Sequence, residues 1–226
     1  FPNPKIVEQF GNDSMPQTGD NVAKKYGISR EEADAFAAAS QAKFEKARAE
    51  GFFEDEIVPV SVPTGRKTPP REVVADEHPR PSSDMATLSR LKPLFEGGVV
   101  TAGNASGVND GAAALLIGSR EAGEKYGLQP MARILSSAAS GVEPAVMGEG
   151  PIEAIKKAVK RANLTLDDMD IIEINEAFAS QVLGCLKGLN VSFDDPRVNP
   201  NGGAIAVGHP LGASGAGLLP RRACPW

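Results

Sequence analysis

One of the two histidines of this 226-residue sequence stands in an unusually glycine-rich turn. His209 is followed by Pro210, and the glycines around it are Gly202, Gly203, Gly208, Gly212 and Gly215. Glycine lets a backbone approach a ligand closely, and proline restricts the residue before it to extended conformations. Because an imidazole exchanges protons near neutral pH, a histidine held in this way suits a catalytic base. A structural loop histidine is the alternative interpretation.

A second candidate is Asn175, which falls where a predicted strand ends and a predicted helix begins. In layered α/β proteins, ligands bind beyond the carboxyl ends of the strands. An amide at such a position can donate a hydrogen bond to a developing oxyanion, directly or through water. A simple helix N-cap is the alternative role for Asn175.

Several familiar sites are absent from the sequence. It contains no phosphate-binding G-x-x-x-x-G-K-[ST], no H-E-x-x-H, no C-x-x-C and no G-x-G-x-x-G that follows a strand. The serine segments around Ser106 and Ser214 do not fit the G-x-S-x-G of hydrolases. The two cysteines, Cys185 and Cys224, form neither a disulfide framework nor a zinc motif, which indicates a reducing compartment such as the cytoplasm.

The composition is that of a folded globular protein. Hydrophobic residues make up 41% and charged residues 23%, while 24 glycines and 18 prolines indicate many turns. The net charge of −5 gives no overall attraction to nucleic acid. No apolar run reaches the roughly 18 residues that a membrane span requires.

In the first half, helical spacing of apolar residues predicts a helix over 18–50, with a capping box from Ser29 to Glu32. A short strand is predicted at 57–62. The proline-rich loop 63–84 that follows contains His78, which we interpret as solvated.

In the second half, strands and helices alternate, which is typical of an α/β layered fold. The run 112–118 is small and apolar, and it suits either a strand buried on both faces or a buried helix. The remaining predictions are a helix at 119–126, a buried strand at 132–139, a helix beginning at Pro151, a strand at 170–174 and a helix at 177–186.

Three segments carry a resemblance to a known family. These are residues 101–113 (TAGNASGVNDGAA), residues 175–179 (NEAFA) and residues 201–216 (NGGAIAVGHPLGASGA). In this order they resemble the thiolases, the acetyl-CoA acyltransferases. Residues 13–16 and 76–81 are most similar to the branch of that family that acts on 3-oxoadipyl-CoA.

The resemblance implies a partial thiolase-like fold with the layers α-β-α-β-α, in which the early strands of the first half are missing. Residues 1–100 would be part of a loop domain. Residues 101–127 would be the end of the N-terminal half, and residues 128–226 a truncated C-terminal half.

The implied activity is thiolytic cleavage of a 3-oxoacyl-CoA to acetyl-CoA and a shortened acyl-CoA, or the reverse condensation. His209 would take the proton of a nucleophilic cysteine, and Asn175 would hold a water that completes an oxyanion hole. The family pattern places that cysteine upstream of Phe1 and a second reactive cysteine beyond the His209 segment, and Cys224 fits neither. We therefore expect this chain alone to be inactive. A fragment that only binds CoA or a partner subunit is the alternative.

The resemblance also implies a binding site for acyl-CoA and CoA as substrates, with no resident cofactor and no metal. Ser106 would contact the pantetheine arm, and Arg66, Lys67 and Arg71 would meet the CoA phosphates. The matching pocket positions are Phe95, Ala102, Met147, Ala177 and Phe178. A homo-oligomer, dimer or tetramer, is implied for a full-length thiolase. Cys185 is expected to be a small buried hydrophobe.

Overall fold

A computed structural model describes residues 3–218 of the chain. Nine α-helices lie in this range: α1 (Pro4–Phe10), α2 (Met15–Tyr26), α3 (Arg30–Ala49), α4 (Met85–Leu88), α5 (Arg120–Tyr126), α6 (Gly150–Arg161), α7 (Ala179–Leu189), α8 (Ala204–Val207) and α9 (Ser214–Leu218). Strands β1 (Val60–Val62) and β2 (Arg71–Val73) form an antiparallel pair. Short 3-10 helices occur at Pro144–Glu149, Leu166–Asp168 and Leu211–Ala213. No helix in residues 3–218 combines the length and apolarity that crossing a membrane requires.

Helix α7 is the centre of the core. Nine of its eleven residues are buried, and it packs against α2, α3, α6 and the 3-10 helix Pro144–Glu149. Gly184 and Gly188 allow this close packing, because a Cβ at either position would collide with Val22 or Ile152. A second, smaller cluster joins Phe44 of α3 to α8.

The single helix predicted over 18–50 is two helices in the structure. Gly27 ends α2 in the left-handed region, with φ at 59°, and Ser29 begins α3 with the predicted capping box. A left-handed residue cannot continue an α-helix, so the chain turns there. The helix predicted at 119–126 is confirmed as α5, which Ser119 caps and Gly127 ends.

Four predicted strands are wrong in extent or absent. Residues 112–118 form neither a strand nor a buried helix, and residues 132–139 form no strand. Leu116 is 84% exposed and Ile134 is 63% exposed. At 170–174 the structure has one isolated bridge, between Ile172 and Val198. A strand exists through hydrogen bonds to a neighbour, and no neighbouring strand pairs with 112–118 or 132–139 within the described residues. The strand predicted at 57–62 is reduced to β1.

The β layers of the predicted fold are accordingly represented, in the part of the chain described, by one two-stranded sheet and three isolated bridges. Those bridges nevertheless hold together the segments that carry the candidate site. The helix beginning at Pro151 is confirmed within α6, and that predicted at 177–186 corresponds to α7. The domain boundaries at 100 and 127 stay a prediction.

Candidate active site

Asn175 is held by the backbone on its N-terminal side. Ile172 pairs with Val198, and the side chain of Asn199 both accepts a hydrogen bond from the Ile174 amide and donates one to the Ile174 carbonyl, each at 2.9 Å. Asn199 is 1% exposed, so water does not compete for these groups. The residue before Asn175 is therefore fixed.

The segment after Asn175 is fixed by the first of the three motif segments. Ala105 bridges Phe178, the Ser106 amide donates to the Ala177 carbonyl at 3.0 Å, and the Ala179 amide donates to the Asn104 carbonyl at 2.8 Å. Two of the sequence motifs thus lie side by side. Asn175 is not the N-cap of α7, because that position belongs to Phe178.

His209 enters the site from the third motif. Its backbone bridges Val108, and its amide donates to the Asn109 side-chain oxygen at 3.1 Å. Gly208 has a φ of 95°, and a Cβ there would overlap the Asn109 carboxamide. Glycine is required at this position for both reasons.

The two candidate catalytic side chains meet. Nδ2 of Asn175 lies 3.3 Å from Nε2 of His209, and Nδ1 of His209 lies 2.6 Å from Oγ of Ser214. An amide nitrogen only donates, so Nε2 accepts and the proton of neutral His209 sits on Nδ1, from which it donates to Ser214. Burial lowers the pKa of His209 below its ordinary value, so the ring is neutral near pH 7.

This arrangement has a simple chemical consequence. The Nε2 lone pair of neutral His209, which accepts from Asn175 in this structure, can instead take a proton from a nearby acid. After it takes a proton, Nε2 becomes a donor that stands beside the Asn175 amide. The same two groups can therefore first serve as a base and then offer two donors to one oxyanion.

Of the predicted binding residues, three lie beside this pair and three elsewhere. Ser106, Ala177 and Phe178 belong to the paired segments next to Asn175, and Ala102 is exposed just before them. Phe95 is 39% exposed in the turn that the Leu94 amide closes on Val100. Met147 is exposed on the rim of a cavity of ≈ 280 Å³ that Phe10, Asp13 and Met15 also line. The roles of all six stay predictions.

The predicted phosphate-binding residues lie on the exposed surface around the β1–β2 hairpin. Arg66 and Lys67 occupy the connection between the strands, and Arg71 begins β2 with its guanidinium 3.7 Å from Glu77. Their contact with CoA stays a prediction.

Cys185 is buried inside α7. Its thiol donates to the Gly148 carbonyl at 3.2 Å and accepts from the Gln181 amide at 3.6 Å. Burial raises the pKa of Cys185 to about 11, so this thiol is a poor nucleophile. Cys224 lies outside the described residues. Within residues 3–218, no group of three or more histidine, cysteine, aspartate or glutamate side chains could hold a metal ion.

Three residues of the site, Asn109, Ser214 and Glu176, were missed in the sequence, and a fourth, His78, was misinterpreted. Asn109 and Ser214 form hydrogen bonds with His209. Both lie inside the motif segments, but neither their type nor their spacing in the sequence indicates this contact. His78 is half-buried rather than solvated: its ring packs on Gly107 and its Nε2 lies 3.3 Å from the Ile205 carbonyl. Glu176 is buried, although a charged residue beside Asn175 looks exposed in the sequence.

The chain is similar to a known protein family over almost its whole length. The family description "Thiolase, N-terminal domain" matches residues 3–121, and "Thiolase, C-terminal domain" matches residues 128–222. Beta-ketoadipyl-CoA thiolase of Acinetobacter baylyi is 55% identical over 220 residues, which cover 97% of this chain and 55% of that protein. The 3-oxoadipyl-CoA/3-oxo-5,6-dehydrosuberyl-CoA thiolase of Escherichia coli is 53% identical, covering 96% and 54%.

Solved structures of thiolases have the same fold as the described part of this chain. Acetyl-CoA acetyltransferase of Bacillus anthracis superposes with a TM-score of 0.86 at 41% identity, covering 94% of this chain and 53% of that one. Human mitochondrial 3-ketoacyl-CoA thiolase in complex with CoA superposes with a TM-score of 0.81 at 42% identity, covering 92% and 51%. The chain therefore spans about half the length of the relatives that it matches, and it shares their fold over that half.

Proposed function

Because this chain belongs to the thiolase family, we propose that it carries part of the active site of an acyltransferase that cleaves 3-oxoacyl-CoA thioesters with CoA. The products are acetyl-CoA and a shortened acyl-CoA, and the reverse condensation uses the same groups. We propose 3-oxoadipyl-CoA as the substrate, since relatives at 53% and 55% identity are named for it. The observation that carries the proposal is the 3.3 Å approach of Asn175 Nδ2 to His209 Nε2.

In the proposed reaction, His209 Nε2 takes the proton of a cysteine thiol. The thiolate adds to the 3-keto carbonyl, and the oxygen that becomes negative accepts hydrogen bonds in the site. The bond between C2 and C3 then breaks, its electron pair leaves with the acetyl-CoA carbanion, and the second reactive cysteine implied by the family pattern protonates that carbanion. The thiol of free CoA finally gives its proton to this second cysteine and attacks the acyl group, and the first cysteine leaves as a thiolate. Asn175 and protonated His209 stand together as donors for the oxyanion of a thioester.

The nucleophilic cysteine of this scheme comes from outside residues 3–218. Cys185 is unsuitable, because its thiol points to the Gly148 carbonyl within the core and its pKa is raised to about 11. Cys224 fits neither cysteine position of the family pattern, and we therefore propose that the 226-residue chain alone forms no acyl-enzyme. The named thiolase relatives favour an acyltransferase over a fragment that only binds.

We further propose that CoA is bound as a substrate and not as a resident cofactor. Its pantetheine arm would run along the pairing of Ser106 with Ala177, which leads directly to Asn175. Arg66, Lys67 and Arg71 would attract its phosphates. We also propose that the full-length protein is cytoplasmic and forms a homo-oligomer.

The test uses nuclear magnetic resonance (NMR) on the isotope-labelled 226-residue chain. Addition of acetyl-CoA or 3-oxoadipyl-CoA is expected to shift the His209 ring signals and the Asn175 side-chain amide. The bulky variant Ser106→Leu, whose side chain is half-buried beside Ala177, is expected to weaken this response at least about tenfold. Adenosine 3′,5′-bisphosphate, which lacks the thioester, is the control and should leave both signals in place. A thioester that saturates the chain without moving either signal would contradict the proposed function.

A second measurement addresses the nucleophile. The chain is incubated with 3-oxoadipyl-CoA and its peptides are mapped by mass spectrometry. We expect no acyl group on Cys185 or Cys224, and a stoichiometric adduct on either thiol would overturn the proposal that the nucleophile lies elsewhere.

A further inference from the structure

Glu176 is a buried carboxyl group for which the proposed reaction has no use. It follows Asn175 directly and is 1% exposed. Its Oε1 accepts from Asn199 Nδ2 at 2.8 Å, while its Oε2 accepts from Ser40 Oγ at 2.6 Å and from the Ile205 amide at 3.1 Å. No lysine or arginine within the described residues forms an ion pair with it. Such a group requires a reason to remain in the core.

On one side, the carboxyl group braces the segment that carries Asn175. Asn199, which it binds through Oε1, also holds both the amide and the carbonyl of Ile174. The side-chain amide of Asn199 cannot rotate by half a turn without placing like groups against Ile174. Glu176 and Ile174, which flank Asn175 in sequence, are thus fixed to the same partner.

On the other side, the carboxyl group braces the segment that carries His209. The Ile205 amide that it binds belongs to the first turn of α8, which runs into Gly208 and His209. Ser40 supports the same turn, since its Oγ accepts from the Gly203 amide while its proton points to Glu176. A Cβ on Gly203 would overlap the carboxyl group, so the turn closes directly over it.

We propose that Glu176 is a positioning residue, which sets the separation of Asn175 and His209 by joining the two segments through one buried carboxyl group. For its catalytic meaning, this inference rests on the proposed function. The carboxyl group touches neither Nδ2 of Asn175 nor the imidazole, so it acts through Asn199, Ser40 and the α8 turn.

The donors around Glu176 make the arrangement specific for a carboxylate. All three of its partners present protons, and a carboxylate only accepts. Burial raises the pKa of Glu176, while these three donors and the attraction of Lys43, which itself donates to the Val198 carbonyl, oppose that rise. Glutamine has nearly the same shape, but its NH₂ group would face a donor in either orientation.

The experiment compares Glu176→Gln with the parent chain by NMR, without any ligand. Two readouts report on the site: the nuclear Overhauser contact between the Asn175 side-chain amide and the His209 ring, and the midpoint of the His209 titration. Ile152→Val is the matched control, because it removes one methyl group from the α6–α7 contact, away from the network.

We expect Glu176→Gln to lose the Asn175–His209 contact and to move the His209 midpoint up toward the ordinary value of about 6.5, as water reaches the ring. Ile152→Val should keep both. If Glu176→Gln does not fold, Ser40→Ala, which removes one donor and leaves the carboxyl group, is measured in the same way. It is expected to give the same change to a smaller extent.

A folded variant of the network in which both readouts match the parent would overturn the inference. Neither readout involves CoA. A failure of the thioester titration would therefore contradict the proposed function without deciding whether Glu176 positions Asn175 and His209.

Discussion

Replacing Asn199 with alanine should remove much of the stability of the chain. Asn199 is 1% exposed and donates or accepts three hydrogen bonds, two with Ile174 and one with Glu176. It also holds a φ of 41°, in the left-handed region that asparagine tolerates better than alanine. The substitution therefore has two separable costs, one in hydrogen bonds and one in backbone conformation.

The size of each cost follows from these contacts. A neutral buried hydrogen bond contributes about 1 kcal/mol net and one to a carboxylate about 2 kcal/mol, so the three bonds together contribute about 4 kcal/mol. The left-handed backbone adds about 1 kcal/mol. The total of about 5 kcal/mol is a large part of the 5–15 kcal/mol typical of a folded domain.

Urea unfolding, followed by circular dichroism, measures the loss. With a slope of about 2.5 kcal/mol per molar urea, the midpoint should fall by about 2 M. The matched control is Asn190→Ala, because Asn190 also has a left-handed φ, 57°, but is exposed at the end of α7. It should lose only about 1 kcal/mol. Equal losses for the two variants would refute the reasoning, since they would leave nothing for the buried hydrogen bonds.

Three further predictions concern the same region and the core. In urea unfolding, Gly203→Ala should destabilise the chain by about 1–3 kcal/mol, because the added Cβ would overlap Glu176. The control Gly215→Ala, which has open space around the added Cβ, should stay within about 1 kcal/mol of the parent. The titration of His209, followed by NMR, should have its midpoint below about 6.5, because burial lowers the pKa in the folded chain. The stability that this group contributes is therefore full above the pKa of the unfolded chain and is lost as the pH falls through the folded pKa. A midpoint above about 6.5 would contradict the burial argument. Cys185, with its pKa raised to about 11, should react with iodoacetamide at pH 8 at least about 100-fold more slowly in the folded chain than in urea, and peptide mapping that finds equal rates would show that the thiol is accessible.

The sequence was most informative where a local signal and the tertiary structure coincide. The Ser29 capping box and the Ser119 and Gly127 caps act within a few residues, so that box and helix α5 could be predicted, whereas the break at Gly27 between α2 and α3 was missed. His209 and Asn175 could be singled out because glycine crowding and a strand-to-helix junction are visible in the sequence. Their 3.3 Å separation was not predictable from the residues, because bridges between distant segments produce it.

Prediction was poorest where a residue depends on distant partners. Glu176 looks like any surface glutamate until Ser40, Asn199 and Ile205 converge on it. The runs 112–118 and 132–139 have strand composition, but a strand also requires a neighbour with which to share hydrogen bonds. Composition alone therefore could not show that both runs would be irregular and largely exposed.

These two runs have a practical consequence for anyone who handles the chain. Leu116, Ile117, Ile134 and Leu135 are each more than half exposed, and the backbone beside them has no ladder to protect its amides. We expect rapid deuterium uptake there, adhesion to hydrophobic columns, and precipitation that worsens with concentration. Charged substitutions at these four positions, far in sequence from Asn175 and His209, are the natural way to obtain a sample that tolerates the NMR titrations.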